Sequence, residues 1–225
     1  MIDLYTAPTP NGFKASIALE ELGLPYTVHK VDLRTGGQFA PEFLRISPNN
    51  KIPAIVDTEG DVAVFESGAV LLYLAEKAGK LLPASGAARA RVLSWMFFQA
   101  ANTGPMLGQA HHFRTYHGET IQYAIDRYTS EGKRLYHVVD RQLSQSRYIA
   151  GDDFTIADVM NLPWLRLSKG QGVDIAEYPN VVRWIAELEA RPAVQKGLTI
   201  PPKDTRPMDD AAREVLFGKA QYERR

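Results

Sequence analysis

The chain has 225 residues, 45% hydrophobic and 23% charged, a balance that suits one large or two small globular domains. Its 26 Lys and Arg cancel its 26 Asp and Glu, which leaves no basic footprint for nucleic acid. No apolar run reaches the ~20 residues of a membrane span, and the absence of cysteine excludes disulfides, thiolate metal sites and a nucleophilic thiol of the protein's own.

Residues 1 to 80 alternate strand and helix signals. Ile2 to Tyr5 reads as a short strand, and a loop rich in turn residues, TAPTPNG, follows it. Phe13 to Leu22 carries a helical apolar pattern that Gly23 stops. Tyr26, Val28, Val31 and Leu33 alternate as a second strand. A short helix is expected around Pro41 to Ile46. IPAIVD (52–57) and DVAVFE (61–66) flank Thr58-Glu59-Gly60 as a hairpin. A helix then starts at Ser67, with Val70, Leu71, Leu74 and Ala78 on one face and Gly79 at its end. The order is β-α-β-α-β-β-α.

LLPASGAA (81–88) is a linker by composition, and the pattern after it is helical throughout. Val92, Leu93, Met96 and Ala100 form one face, and Gly104-Pro105 breaks or kinks that helix. Ile121, Ile125, Tyr128, Leu135 and Val139 form a long stripe that includes Gly132. A glycine inside a helix costs about 1 kcal/mol against alanine, so close helix packing or an approaching ligand is expected there. YPNVVRWIAELEARPAV (178–194) gives a helix that stops before Pro192. The tail from Pro201 is polar, with a short helix at Asp210 to Gln221.

Four stretches could carry chemistry. Thr9 and Asn11, just past the first strand, offer a hydroxyl and an amide without charge. Such groups can hydrogen-bond a thiolate or oxyanion, and ligands of open α/β sheets collect at strand carboxyl ends; both residues also simply favour turns. In NNKIPAIVD, a cis Ile52–Pro53 bond would turn the Ile52 amide and carbonyl toward an extended peptide ligand, whereas a trans proline opening an edge strand fits the same spacing. Glu66 and Ser67 stand where a strand meets a helix N-terminus, a place for a plain cap or for a ligand carboxylate. His111, His112 and His117 lack an i,i+4 pair, so solvated or locally bonded side chains are expected in place of a metal site. In DFTIADV, Thr155 and Asp158 have capping-box spacing, and Phe154 is placed to staple onto Val159.

Together these pieces resemble the soluble glutathione transferase superfamily. NKIPAIVD is similar to its cis-proline segment, FESGAVLLYLAEK to its Glu-Ser element, FTIADV to its helical-domain capping box and ARPAV to its last-helix ending. TPNGFK, GGQFAPEFLRISPNNKIPAIVD, GPMLGQAHHF and KRLYHV further resemble the bacterial Nu class, whose members reduce disulfides with glutathione, and the glutathione-transferase-like domain of a yeast nitrogen-regulation protein. The resemblance implies an α/β thioredoxin-like domain over residues 1–82, an all-α domain over 88–200 and a tail over 201–225. It implies glutathione, reduced or as its disulfide, as cofactor, with no metal. Thr9 and Asn11 would lie beside the sulfur, and Ile52, ahead of Pro53, would pair with the cysteinyl backbone. Glu66 and Ser67 would take the γ-glutamyl group, with Gln38 and Lys51 nearby. Arg134 would reach a glutathione carboxylate in the neighbouring subunit of a homodimer, and near-zero net charge suits such self-association. Many relatives activate the thiol with a Tyr, Ser or Cys just after the first strand. Tyr5 lies within the strand and reads as a strand aromatic, which leaves Thr9 and Asn11.

The expected function is disulfide reduction by bound glutathione, with weak conjugating or peroxidase activity, in a cytoplasmic enzyme. The partners are glutathione and a small disulfide or electrophile, with neither nucleic acid nor membrane. A conventional conjugating transferase is the alternative within the enzymes, and a non-catalytic interaction domain is the alternative outside them.

Overall fold

The computed structural model describes residues 1–223, which fall into two units: Met1–Ala78 with the segment from Gln195 onward, and Gly79–Val194. The first is built on a four-stranded sheet of β1 (Ile2–Thr6), β2 (Tyr26–Lys30), β3 (Ala54–Asp57) and β4 (Val62–Phe65), in the order β2-β1-β3-β4. β1 runs parallel to β2 and antiparallel to β3, and β3 and β4 form the expected hairpin.

Helix α1 (Pro10–Leu22) begins three residues before its apolar periodicity does. The Thr9 hydroxyl oxygen accepts from the Gly12 amide at 3.1 Å, and Pro10 occupies the first turn, where its missing N–H costs nothing. Gly23, at φ 70°, closes the helix. Helix α2 (Pro41–Leu44) is a single turn, and α3 (Ser67–Ala78) buries Val70, Leu71 and Leu74 as expected, with Ala75 in place of Ala78. Val31 and Leu33, which alternation puts in the second strand, lie beyond it. They pack instead with Phe43 and Ala54, together with Tyr5 and Ile52. Val31 still donates its amide to the Thr6 carbonyl of β1 at 2.9 Å, so the pairing with β1 reaches one residue past β2 while both side chains are taken up by the cluster. Asp57, buried at the end of β3, is tied to α3 by Lys77 at 2.8 Å and Tyr73 at 2.6 Å, and these partners hold its carboxyl below the usual range.

The polar tail docks on this same unit. The Arg34 guanidinium donates to the carbonyls of Arg206 (3.1 Å) and Pro207 (2.6 Å) and to Asp209 (3.2 Å). The helix expected at 210–221 is split at Gly218 into α10 (Asp210–Phe217) and α11 (Ala220–Glu223); α9 (Pro192–Gly197) precedes them.

The second unit is helical: α4 (Gly86–Phe98), α5 (Gly104–His111), α6 (Gln122–Leu143), α7 (Ile156–Leu165) and α8 (Pro179–Glu189). A π-helical turn over Gln99–Thr103 joins α4 to α5. Gln99 is buried and Ala100 exposed, because Gln99 lies seven residues from Val92 and three from Met96 and so falls nearer the middle of their shared face. A second π turn over His112–Tyr116 brings His112 and His117 together, with ring centroids 5.9 Å apart, whereas an α-helix would hold them about 140° apart. His112 and His117 are locally engaged, in a ring cluster with Phe113, which stacks on Tyr128, and His117 is also exposed.

In α6 only the C-terminal half of the expected stripe is buried; Ile121 is exposed and Ile125 intermediate. Gly132 is explained by packing, since a Cβ there would lie 3.2 Å from Leu107 and 3.6 Å from Val173. The capping box of α7 is formed. Thr155 caps the helix, and the buried Asp158 carboxylate accepts from the amides of Thr155 (2.9 Å) and Ile149 (3.0 Å) and from the Trp184 indole (2.8 Å). The Phe154 ring meets Tyr148 and the Arg191 guanidinium, partners that the staple pattern did not indicate.

Candidate functional site

Strand register brings the candidate segments to one end of the sheet. Tyr5 pairs with Ala54, and Ala54 pairs with Phe65. The loop leaving β1 (Thr9, Asn11), the segment entering β3 (Ile52, Pro53) and the residues leaving β4 (Glu66, Ser67) therefore share that end. β2 finishes there too, with Lys30 opposite Thr6, and its exit leads to Gln38. Arg134 lies in the other unit, on α6. It is 56% exposed and forks onto Glu131 of its own helix at 2.7 and 2.8 Å.

The loop after β1 cannot tolerate a side chain at position 12. A Cβ on Gly12 would sit 2.1 Å from the Ala7 carbonyl oxygen, so glycine is what lets the turn fold tightly against the strand. Thr9 spends one lone pair on the Gly12 amide, and its own hydroxyl hydrogen remains available to be donated. Tyr5 stacks on His29 with centroids 4.7 Å apart, a strand aromatic as expected.

The Ile52–Pro53 peptide is cis, and the Ile52 side chain packs beside the cluster of Val31, Phe43 and Ala54. Ahead of it, Ser47 donates to the Lys51 carbonyl at 2.8 Å, and the Lys51 ammonium donates to Gln221 of the tail at 2.9 Å. Partial desolvation lowers the Lys51 pKa. Gln38 is 2% exposed, and among the described residues its Oε1 has no hydrogen-bond partner.

Glu66 has φ 69°, a left-handed conformation that a non-glycine residue adopts only where its surroundings hold it. Its carbonyl accepts from the Val70 amide at 2.9 Å, so Ser67 is the first helical residue of α3 and not its cap. Asn49 donates to the Glu66 carboxylate at 3.5 Å. Lys14, from α1, donates to the Ser67 hydroxyl at 3.2 Å and is 2% exposed. Burial pulls its pKa down to about 7 against the opposing pull of Glu66. Sequence reasoning passed over Lys14 and Asn49. A signal for Lys14 exists: it is the one charge between Asp3 and Glu20, set in the apolar run of α1.

The family description "Glutathione S-transferase, N-terminal domain" matches residues 1–76, and its C-terminal counterpart matches 106–192. The chain belongs to the glutathione S-transferase family. Its architecture is the one that family implies, an α/β thioredoxin-like unit and an all-α unit. Within the glutathione S-transferases it is similar to the disulfide-bond oxidoreductase YfcG of Escherichia coli, at 51% identity over 88% of this chain and 94% of that one. It is also similar to a glutathione transferase family member from Pseudomonas fluorescens solved with two glutathione bound, with a TM-score of 0.83 and 46% identity over 88% of this chain and 92% of that one. A glutathione transferase from Pseudomonas putida, solved with one glutathione disulfide per subunit, gives a TM-score of 0.85 and 43% identity over 89% and 91%. Among the described residues no helix is long and apolar enough to cross a membrane, and no group of acidic and histidine side chains is arranged to hold a metal.

Proposed function

We propose that this protein is a glutathione-dependent disulfide-bond reductase that uses glutathione as both ligand and reductant. The observation that carries the reading is the convergence of Thr9 and Asn11, Ile52–Pro53 and Glu66–Ser67 at one end of the sheet, in a chain without cysteine. The Ser67 hydroxyl and the first amides of α3 suit the γ-glutamyl carboxylate, and the Glu66 carboxylate suits its ammonium. The Ile52 backbone takes the cysteinyl residue in extended pairing. Lys51 and the buried Gln38 oxygen offer a donor and an acceptor to the rest of the peptide. The glutathione sulfur then falls to Thr9 and Asn11. The kinship to YfcG, and to structures holding two glutathiones or glutathione disulfide, supports this choice of chemistry.

In the reaction, the glutathione thiolate attacks one sulfur of a disulfide. The S–S bond breaks, and the departing thiolate takes a proton from solvent. A second glutathione thiolate attacks the mixed disulfide, releasing the reduced substrate and glutathione disulfide. Neutral donors at Thr9 and Asn11 favour thiolate over thiol. A thiolate of lower pKa is also a weaker nucleophile, so positioning supplies much of the rate. This exchange runs where reduced glutathione is abundant, which places the enzyme in the cytoplasm.

Turnover of a chromogenic disulfide with glutathione tests the reading, with an aryl halide as the competing substrate. Disulfide turnover should exceed aryl conjugation, and pretreatment of the protein with an alkylating reagent, later removed, should leave it unchanged. Thr9→Ala and Asn11→Ala should lower kcat more than they raise the glutathione Kd, because they act at the sulfur and not at the peptide ends. Parent rates in both variants would mean that the loop is only a turn.

The reading also makes the enzyme a homodimer in which Arg134 reaches the partner's glutathione. Light scattering at assay concentration should return twice the chain mass, and Arg134→Ala should weaken glutathione binding without changing that mass. A monomer with full activity would remove both parts of this claim.

A further inference from the structure

The segment from α9 onward has no role in the chemistry assigned so far, yet it is tied to the first unit at three places. At its start the Ser16 hydroxyl donates to the Gly197 carbonyl at 2.7 Å. Farther on, Arg34 donates to two tail carbonyls and to Asp209, and its side chain is only 14% exposed. Arg206 adds an ion pair with Asp32 at 3.6 Å, and Ala212 of α10 is buried. At the far end the Gln221 side-chain oxygen accepts from the Lys51 ammonium at 2.9 Å. Asp32 and Arg34 follow β2 and Lys51 precedes β3, so the last two ties lie at the glutathione end of the sheet. We propose that Gln221 is a positioning residue of the glutathione site: the tail, clamped at Arg34, brings the Gln221 carboxamide to Lys51 and holds that ammonium for the glycyl carboxylate of the peptide. The inference rests on the glutathione reading above.

The chemistry of the contact favours a support over a plug. Gln221 is itself held, because its amide nitrogen donates to the Val215 carbonyl of α10 at 2.6 Å, which fixes the carboxamide with its oxygen toward Lys51. An ammonium carries three hydrogens, and Gln221 takes one of them. The carboxamide is neutral, so it orients the ammonium without cancelling its charge. Among the described residues no carboxylate acts on Lys51, whose pKa is lowered by partial desolvation alone. An arriving carboxylate therefore meets an oriented charge that is not yet compensated. Glutathione has two carboxylates. Ser67 suits one, and Lys51, next to the Ile52 that pairs with the cysteinyl residue, suits the other. Holding a long, flexible side chain in place before the ligand arrives also removes part of the entropy cost of binding. The alternative is that Gln221 only fastens α11 to α10 and meets Lys51 incidentally.

Calorimetry with glutathione and with its glycyl monoethyl ester, which lacks that carboxylate charge, separates the two roles. Gln221→Ala should weaken glutathione binding by roughly three- to tenfold, the scale of one hydrogen bond, and leave the ester at parent affinity. Gln221→Met, which keeps the length of the side chain but offers only a weak acceptor, should lose as much. Arg34→Ala, which releases the clamp, should show the same loss for glutathione alone. Combined with Gln221→Ala it should lose no more than the larger single change, because both act through one contact. KM for glutathione should rise in each variant while kcat at saturation holds. Equal losses for both ligands, or none for glutathione, would overturn the proposal. Tighter glutathione binding in Gln221→Ala would also overturn it, by making the tail a plug. Parent affinity in Arg34→Ala would remove the clamp. Lys51→Ala is the control. If it distinguishes glutathione from the ester and the Gln221 variants do not, only the role of Gln221 falls. If Lys51→Ala does not distinguish them either, the assignment of Lys51 to the peptide falls and takes this proposal with it.

Discussion

Ser67→Ala is expected to weaken glutathione binding by roughly 10- to 150-fold, because a hydrogen bond to a charged group is worth about 1.5–3 kcal/mol. The hydroxyl stands at the start of α3, and Glu66, in its left-handed conformation, sets the direction of the first helical turn. The substitution removes the proposed donor to the γ-glutamyl carboxylate and also takes an acceptor from Lys14. The helix start survives, since the Val70 amide still reaches the Glu66 carbonyl. A folded variant with parent affinity by calorimetry would remove Ser67 from the site.

Asp158→Ala is expected to cost stability on the order of 3 kcal/mol or more, because it orphans three buried donors at about 1–3 kcal/mol each. Those donors are the amides of Ile149 and Thr155 and the indole of Trp184. Burial pushes the Asp158 pKa up to about 6, and the same donors restrain the rise, so the carboxylate is ionised at neutral pH. A loss of that size is a large share of the 5–15 kcal/mol that holds a domain together. Urea unfolding followed by tryptophan fluorescence measures it directly, since Trp184 is itself one of the partners. A change below about 1 kcal/mol would mean that the donors find other acceptors. Disulfide turnover per folded molecule should be unaffected, because Asp158 acts on the helical unit and not on the glutathione end of the sheet.

The sequence by itself determined what depends on neighbours a few residues apart. Gly23 ends α1, although its Thr9 cap and Pro10 start read as loop; Thr58-Glu59-Gly60 turns the hairpin; Thr155 and Asp158 box the start of α7. Each signal is a side chain meeting backbone within one or two turns, so local propensity and capping carry it. The family motifs extended that reach to the Glu-Ser pair and the cis-proline segment. Tertiary structure decided the rest. Val31 and Leu33, past the end of β2, joined a cluster with Phe43 and Ala54. A π turn over His112–Tyr116 paired His112 with His117, which an α period holds apart. The tail docked on Arg34 and Lys51. Lys14 met Ser67 across 53 positions of chain. No local rule contains such a pairing, because its energy arises only when two elements pack and water is excluded between them.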